Sequence, residues 1–145
     1  MTAPEITGTW RLADYYLEGG GADGERPLGD VPLGRLIYGP DGHMSVQYMP
    51  GDRPPLPTAN WRWATDPERL DAVRAYGGYA GRYDWLGDRV LHHIEAGVHP
   101  NSIGTTLVRL AALDGPRLVL RAERSPGEPP TPILVWERLR PHPDH

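Results

Sequence analysis

The sequence contains no cysteine, no lysine and no phenylalanine. Without cysteine there are no disulfides, no thiolate zinc sites and no cysteine nucleophile. Without lysine there is no Schiff-base chemistry and no anchor for pyridoxal phosphate. No segment approaches the roughly 20 apolar residues of a membrane span. Residues Met1 to Thr9 show neither the basic stretch nor the apolar run of a signal peptide. These absences lead to the expectation of a soluble, cytoplasmic protein. A net charge of -4 offers no electrostatic attraction for nucleic acid or an anionic membrane.

What is present suits one globular domain. A chain of 145 residues with 39% hydrophobic and 23% charged content can bury a sizeable core. Five Trp and seven Tyr carry the aromatic load. Each has an apolar body and a polar handle, which suits a wet cavity and ordinary half-buried positions alike.

Glycine and proline clusters divide the chain into short runs, the spacing of hairpin-connected strands. Strands are expected at about 6–17, 33–38, 43–49, 78–85, 89–98, 105–113, 117–123 and 132–139. Gly39-Pro40-Asp41-Gly42, Leu86-Gly87-Asp88 and Asp114-Gly115-Pro116 are turn signals. Gly19 to Gly24 reads as a flexible loop, and residues 141–145 as a disordered tail after a single domain of residues 1–140. One helix is expected: Thr65 caps it, Glu68 completes a capping box, and Gly77-Gly78 ends it. Leu70, Val73 and Tyr76 share one face. The proline-rich stretch before it carries Trp61 and Trp63. It reads as a lid over one barrel end, or as a crossover with its tryptophans packed down.

Eight short strands and one helix point to an all-β fold, an eight-stranded antiparallel up-and-down barrel whose closure removes exposed edges. Eight strands leave room for core side chains or one small ligand.

Gly8-Thr9-Trp10 resembles the lipocalin signature, in which the Trp closes the barrel floor and a last-strand Arg packs over it. Arg138 stands where that Arg would be. The blocks at 34–38, 41–47, 79–83, 92–95, 100–105 and 134–138 resemble, in order, those of the bacterial lipocalin-like domain family. The resemblance implies a lipocalin-like barrel, and fold alone implies no reaction.

Alternation along strands assigns faces. If Trp10 points inward, Leu12, Asp14 and Tyr16 follow. With Tyr38 paired to His43, one face carries Leu36, Tyr38, His43, Ser45 and Gln47, and the other Ile37, Met44, Val46 and Tyr48. A polar site needs the first set, while hydrophobicity favours the second. With Asp84 paired to Arg89, the cavity wall carries Tyr79, Gly81, Tyr83, Val90, His92, Ile94 and Ala96. Leu134, Trp136 and Arg138 share a face of the last strand.

The candidate catalytic pair is His92 and Tyr83, acting with Tyr79 as acid–base groups; the alternative is a histidine hydrogen-bonded in the wall. The candidate ligand contacts are Tyr16, Tyr38, Ser45, Gln47, Trp61, Trp63, Tyr79, Ile94, Arg109 and Trp136. Arg109 could clamp a carboxylate or phenolate, or lie on the solvated face. His92, His93, Glu95 and His99 look like a metal cluster, but strand alternation turns His92 away from His93 and Glu95, so no metal is expected. Beyond His92 or His43 nothing suggests haem. Ser45, Ser102 and Ser125 lie in no nucleophile elbow, and Gly19-Gly20-Gly21 opens no dinucleotide-binding helix. No cofactor is expected. The partner is a small organic molecule, and a dimer stays open. Three functions remain: a carrier of a small, partly apolar metabolite, a cofactor-free cyclase or isomerase in the same cavity, and a structural barrel filled with side chains.

Overall fold

The computed structural model describes residues 3–18 and 24–144. Eight antiparallel strands close into one barrel, each bonded to its sequence neighbours and β8 to β1. They are β1 (Gly8–Glu18), β2 (Pro32–Tyr38), β3 (His43–Pro50), β4 (Gly77–Trp85), β5 (Arg89–Gly97), β6 (Thr106–Asp114), β7 (Arg117–Ala122) and β8 (Thr131–Arg138). All eight expected strands are present. Most of the Gly19–Gly24 loop lies outside the described residues.

Up-and-down order sends alternate connections to opposite ends. The β2–β3, β4–β5 and β6–β7 hairpins are tight and share one end, the floor. The long connections, including residues 51–76, share the other end, the mouth. At the floor, Trp10 is fully buried and its indole N–H donates to the Ile6 carbonyl at 3.0 Å. The Arg138 guanidinium lies 4.3 Å from the Trp10 ring centroid and donates to the Glu5 carbonyl at 2.7 Å. This is the expected stack, a cation on an aromatic face whose N–H groups also tie down the N-terminal segment.

Turn length decides which side chains fill the barrel. Gly39 donates to the His43 carbonyl at 2.7 Å, and Gly42 adopts a φ of +87°. That is a three-residue hairpin loop with glycine in the left-handed position. It pairs Tyr38 with Met44, not with His43. A shift of one residue exchanges the faces. Tyr38, Met44 and Val46 are therefore buried, while Ser45 and Gln47 point outward, correcting their assignment to the cavity. The β4–β5 hairpin pairs Trp85 with Val90, two residues from the expected register. A shift of two keeps the faces, so Tyr83, His92 and Ile94 are buried as expected. Ala96 is the exception. A bulge between Ala80 and Gly81 turns it outward, and a Cβ on Gly81 would sit 1.8 Å from the His93 carbonyl oxygen.

A second bulge corrects β1. Leu12 pairs with Trp136, and Asp14 with Val135. The extra residue reverses the alternation. Tyr15 turns to the core, and Asp14 and Tyr16 turn outward, where Arg26 pairs with Asp14 at 3.1 Å and covers the Tyr16 ring at 5.7 Å.

The helix α1 (Asp66–Arg74) begins as expected, with Thr65 accepting from the Glu68 N–H. It ends at Ala75 and buries none of its residues. Leu70 and Val73 are exposed. Trp61 and Trp63 form a single 3-10 turn and are 54% and 74% exposed. They do not line the cavity, and their exposure corrects the reading of a crossover with its tryptophans packed down.

Arg138→Lys keeps the charge but loses the planar stack and the fork of donors. It should cost about 1–3 kcal/mol in urea denaturation; an unchanged midpoint contradicts the floor described here.

Candidate functional site

The upper half of the barrel is hollow. A cavity of about 350 Å³ lies between the floor and the mouth. Its walls are Leu36, Val46, Ile94, Leu107, Leu120, Leu134 and Trp136. Tyr48, Tyr76, Gly77, Gly78, Val98, His99, Ser102 and Pro132 add to the lining, drawn from the strand ends and connections of the mouth. Gly77 is needed there: a Cβ would fall 2.2 Å from the Tyr48 ring.

Two polar features enter this apolar space. The first is His92, 2% exposed. Its Nε2 lies 2.6 Å from the Tyr38 hydroxyl, and its Nδ1 lies 2.7 Å from the Tyr79 hydroxyl. A neutral imidazole has one donor and one acceptor. Tyr38 is buried and His92 is its one hydrogen-bond partner, so its proton must go to Nε2 or be stranded. Nδ1–H then donates to Tyr79, and the Tyr79 proton is left to face the cavity.

Burial pushes the His92 pKa down to about 3, with Arg109 and His93 adding repulsion. Burial also raises the Tyr38 phenol well above its usual range, and raises Tyr79. The chain is neutral throughout. It ends at Tyr38, a phenol that neither holds nor releases charge at physiological pH.

The second feature is Arg109. Its β6 position faces inward beside Leu107. Its one hydrogen bond is to the Val108 carbonyl at 3.2 Å. Among the described residues that line the cavity there is no carboxylate. The guanidinium holds down the phenol pKa values of Tyr15, Tyr38, Tyr48 and Tyr79 against the larger effect of burial. Tyr15 is still pushed up to about 12.

Of the residues named from sequence, Tyr79, His92, Ile94, Arg109 and Trp136 meet in this cavity. Tyr38 backs His92 from below. Tyr83 is buried but its hydroxyl donates to the Gly39 carbonyl at 2.7 Å; it pins the floor turn, and the expected Tyr83–His92 partnership is replaced by Tyr38–His92. Tyr16, Ser45, Gln47, Trp61 and Trp63 lie elsewhere. Tyr48 and Leu107 were missed. Their signal was apolar alternation with Val46 and Ala111, once the registers are known. His93 points outward, bonded to Asp84 at 2.7 Å. Among the described residues no three His, Asp or Glu side chains converge as a metal site, and no helix is long and apolar enough to cross a membrane.

A closed up-and-down barrel, plugged at one end and hollow at the other, defines a calyx. The model of the lipocalin-like domain family matches residues 7–139, and the chain belongs to that family. Among solved structures, a mutant of the fluorescent protein UnaG aligns with 92% of this chain and 96% of its own, at 11% identity and a TM-score of 0.39. No curated protein matches the sequence.

The His92 pKa gives a signed expectation. The group is depressed in the folded state relative to about 6.5 unfolded. Between those values the unfolded chain binds the proton and the folded one does not. Stability is thus whole above about 6.5 and falls as pH drops towards about 3. The slope from this group is at most about 1.4 kcal/mol per pH unit. His92→Gln should show a shallower acid loss than the parent between pH 6.5 and 4 in urea titrations, although it starts from lower stability. Parallel slopes contradict a buried neutral histidine.

Proposed function

We propose that the barrel holds one small, partly apolar organic molecule in its upper cavity. The observation that carries this reading is the space of about 350 Å³, open at the mouth, with mostly apolar walls. It lies within the range of about 300–1,000 Å³ usual for ligand pockets. A structural barrel would close that space with larger side chains, as this one does at its floor with Trp10, Tyr38 and Tyr83. Ile94 and Trp136 supply apolar contact, and Tyr79 and Arg109 fix orientation.

The character of His92 favours holding over turnover. A cofactor-free cyclase or isomerase drawing on acid–base catalysis needs a group that titrates near working pH. Here the imidazole is held neutral, and the relay behind it ends on a buried phenol. Tyr79 can polarise a bound carbonyl as a hydrogen-bond donor, but it has no reservoir of protons behind it. The lack of cysteine suits the reducing cytoplasm expected for such a carrier.

The neutral dye N-phenyl-1-naphthylamine tests the cavity without assuming a charge on the ligand. It should bind one per barrel with enhanced fluorescence. Leu107→Trp, which fills the mouth half of the cavity, should weaken it at least about tenfold, or about 1.4 kcal/mol. Tyr83→Phe, which touches only the floor turn, should leave the affinity unchanged. A dye that ignores Leu107→Trp is bound elsewhere, and the proposal falls.

A further inference from the structure

Two polar groups deep in the cavity, Tyr79 and Arg109, are matched in kind. The Tyr79 hydroxyl receives a hydrogen bond from His92 Nδ1, because Tyr38 occupies Nε2; its own proton has no acceptor among the described residues. Among the described residues the indole N–H of Trp136 has none either, but that nitrogen is itself buried away from the open space of the cavity. An indole nitrogen can only donate. Buried donors of native proteins are nearly always paired. Among the described residues the Thr131 hydroxyl, outside the cavity, is likewise unpaired, so the indole N–H by itself marks no ligand.

Arg109 adds a charge to this pattern. It has no carboxylate partner, and no carboxylate lines the cavity among the described residues. A guanidinium has donors and no acceptor. Tyr48 and His99, towards the mouth, can donate or accept and so fit either kind of ligand. At the mouth Tyr76 and Ser102 spend their protons on Gln47 and on the His99 carbonyl and offer lone pairs; the groups that offer only donors to the cavity are Tyr79 and Arg109. They ask for acceptor oxygens and one negative charge.

We infer that the ligand class is an organic anion carrying a second, neutral acceptor: a carboxylate, or an acidic phenol or enol, that also bears a carbonyl. The anion pairs with Arg109, and the carbonyl accepts from Tyr79. The apolar body between them lies against Ile94, Leu120 and Leu134. Amines and polyols are disfavoured. Placed deep in the cavity, an ammonium or hydroxyl proton would be set against Arg109 and the Tyr79 proton; the acceptors lie at the mouth. This inference rests on the proposal that the cavity holds a ligand, and it goes further by fixing that ligand's polarity.

Competition against bound N-phenyl-1-naphthylamine tests it with a matched, flexible series. The keto acid 6-oxo-6-phenylhexanoate should compete best. Removing the ketone (6-phenylhexanoate) or the carboxylate (hexanophenone) should each weaken competition about five- to tenfold, the usual worth of one hydrogen bond or exposed ion pair. The amine 6-phenylhexylamine should not compete. In Arg109→Met the gap between keto acid and hexanophenone should close. In Tyr79→Phe the gap between keto acid and 6-phenylhexanoate should close. Circular dichroism checks that each variant is folded, and the series on the unmodified protein needs no variant at all. If all the ligands compete within twofold on the unmodified protein, or the amine matches the acid, the inferred class is wrong while the ligand cavity stands. If the dye itself fails to bind the unmodified protein, the cavity reading and this inference fall together.

Discussion

A closed barrel has one inside, and a strand's period of two decides what enters it. Every other feature depends on that parity. The Trp10–Arg138 stack sets it at the seam between β1 and β8, where Trp10 and Arg138 are paired. From there each hairpin either carries the parity on or reverses it. The floor end, with its tight turns, fixes the registers. The mouth end, with its long connections, has no such duty and can stay open. The division of labour between a plugged half and a hollow half follows from where the short turns lie.

The cavity is then a consequence of which residues parity sends inward. Above the floor these are aliphatic side chains, Tyr15, Tyr48, Tyr79, Trp136, a histidine and an arginine. The histidine is made inert by burial and by its two phenols. It acts as a spacer that passes direction, not charge, from Tyr38 to Tyr79. A deep phenol with nowhere else to donate therefore determines what a cavity-facing phenol offers. Arg109 is the converse case, a charge turned inward with no carboxylate partner among the described residues. Such a charge costs free energy unless something pairs with it, and a bound anion is what would offset that cost.

Much of the fold was legible in the sequence. Turn residues and apolar alternation placed all eight strands, and Gly8-Thr9-Trp10 with Arg138 marked the floor. The face of β4 and β5 was also legible, because an error of two residues in register is harmless. The face of β3 was not. The turn at residues 39–42 has one loop residue fewer than the four assumed, and one residue reverses every side chain after it. That single difference removed Ser45 and Gln47 from the site and brought Tyr48 into it. The bulge after Leu12 did the same to Tyr16 and Tyr15, and a bulge leaves no mark in composition. Trp61 and Trp63 misled for another reason. Large aromatics suggest burial, yet the proline-rich connection holds them on a short turn outside the barrel. Arg109 could be named from sequence, but its inward direction depended on a register known only once the strands were paired.

The central claim is that a ligand enters the hollow half and leaves the plugged half unchanged. Backbone amide chemical-shift mapping during titration with N-phenyl-1-naphthylamine tests this directly. The account predicts shifts concentrated at Val46, Gly78, Ile94, Leu107 and Leu134, with Gly42, Leu86 and Gly115 at the floor turns unmoved. Shifts confined to the proline-rich connection around Leu56 and Trp61, or spread over the outer faces of the strands, would contradict it.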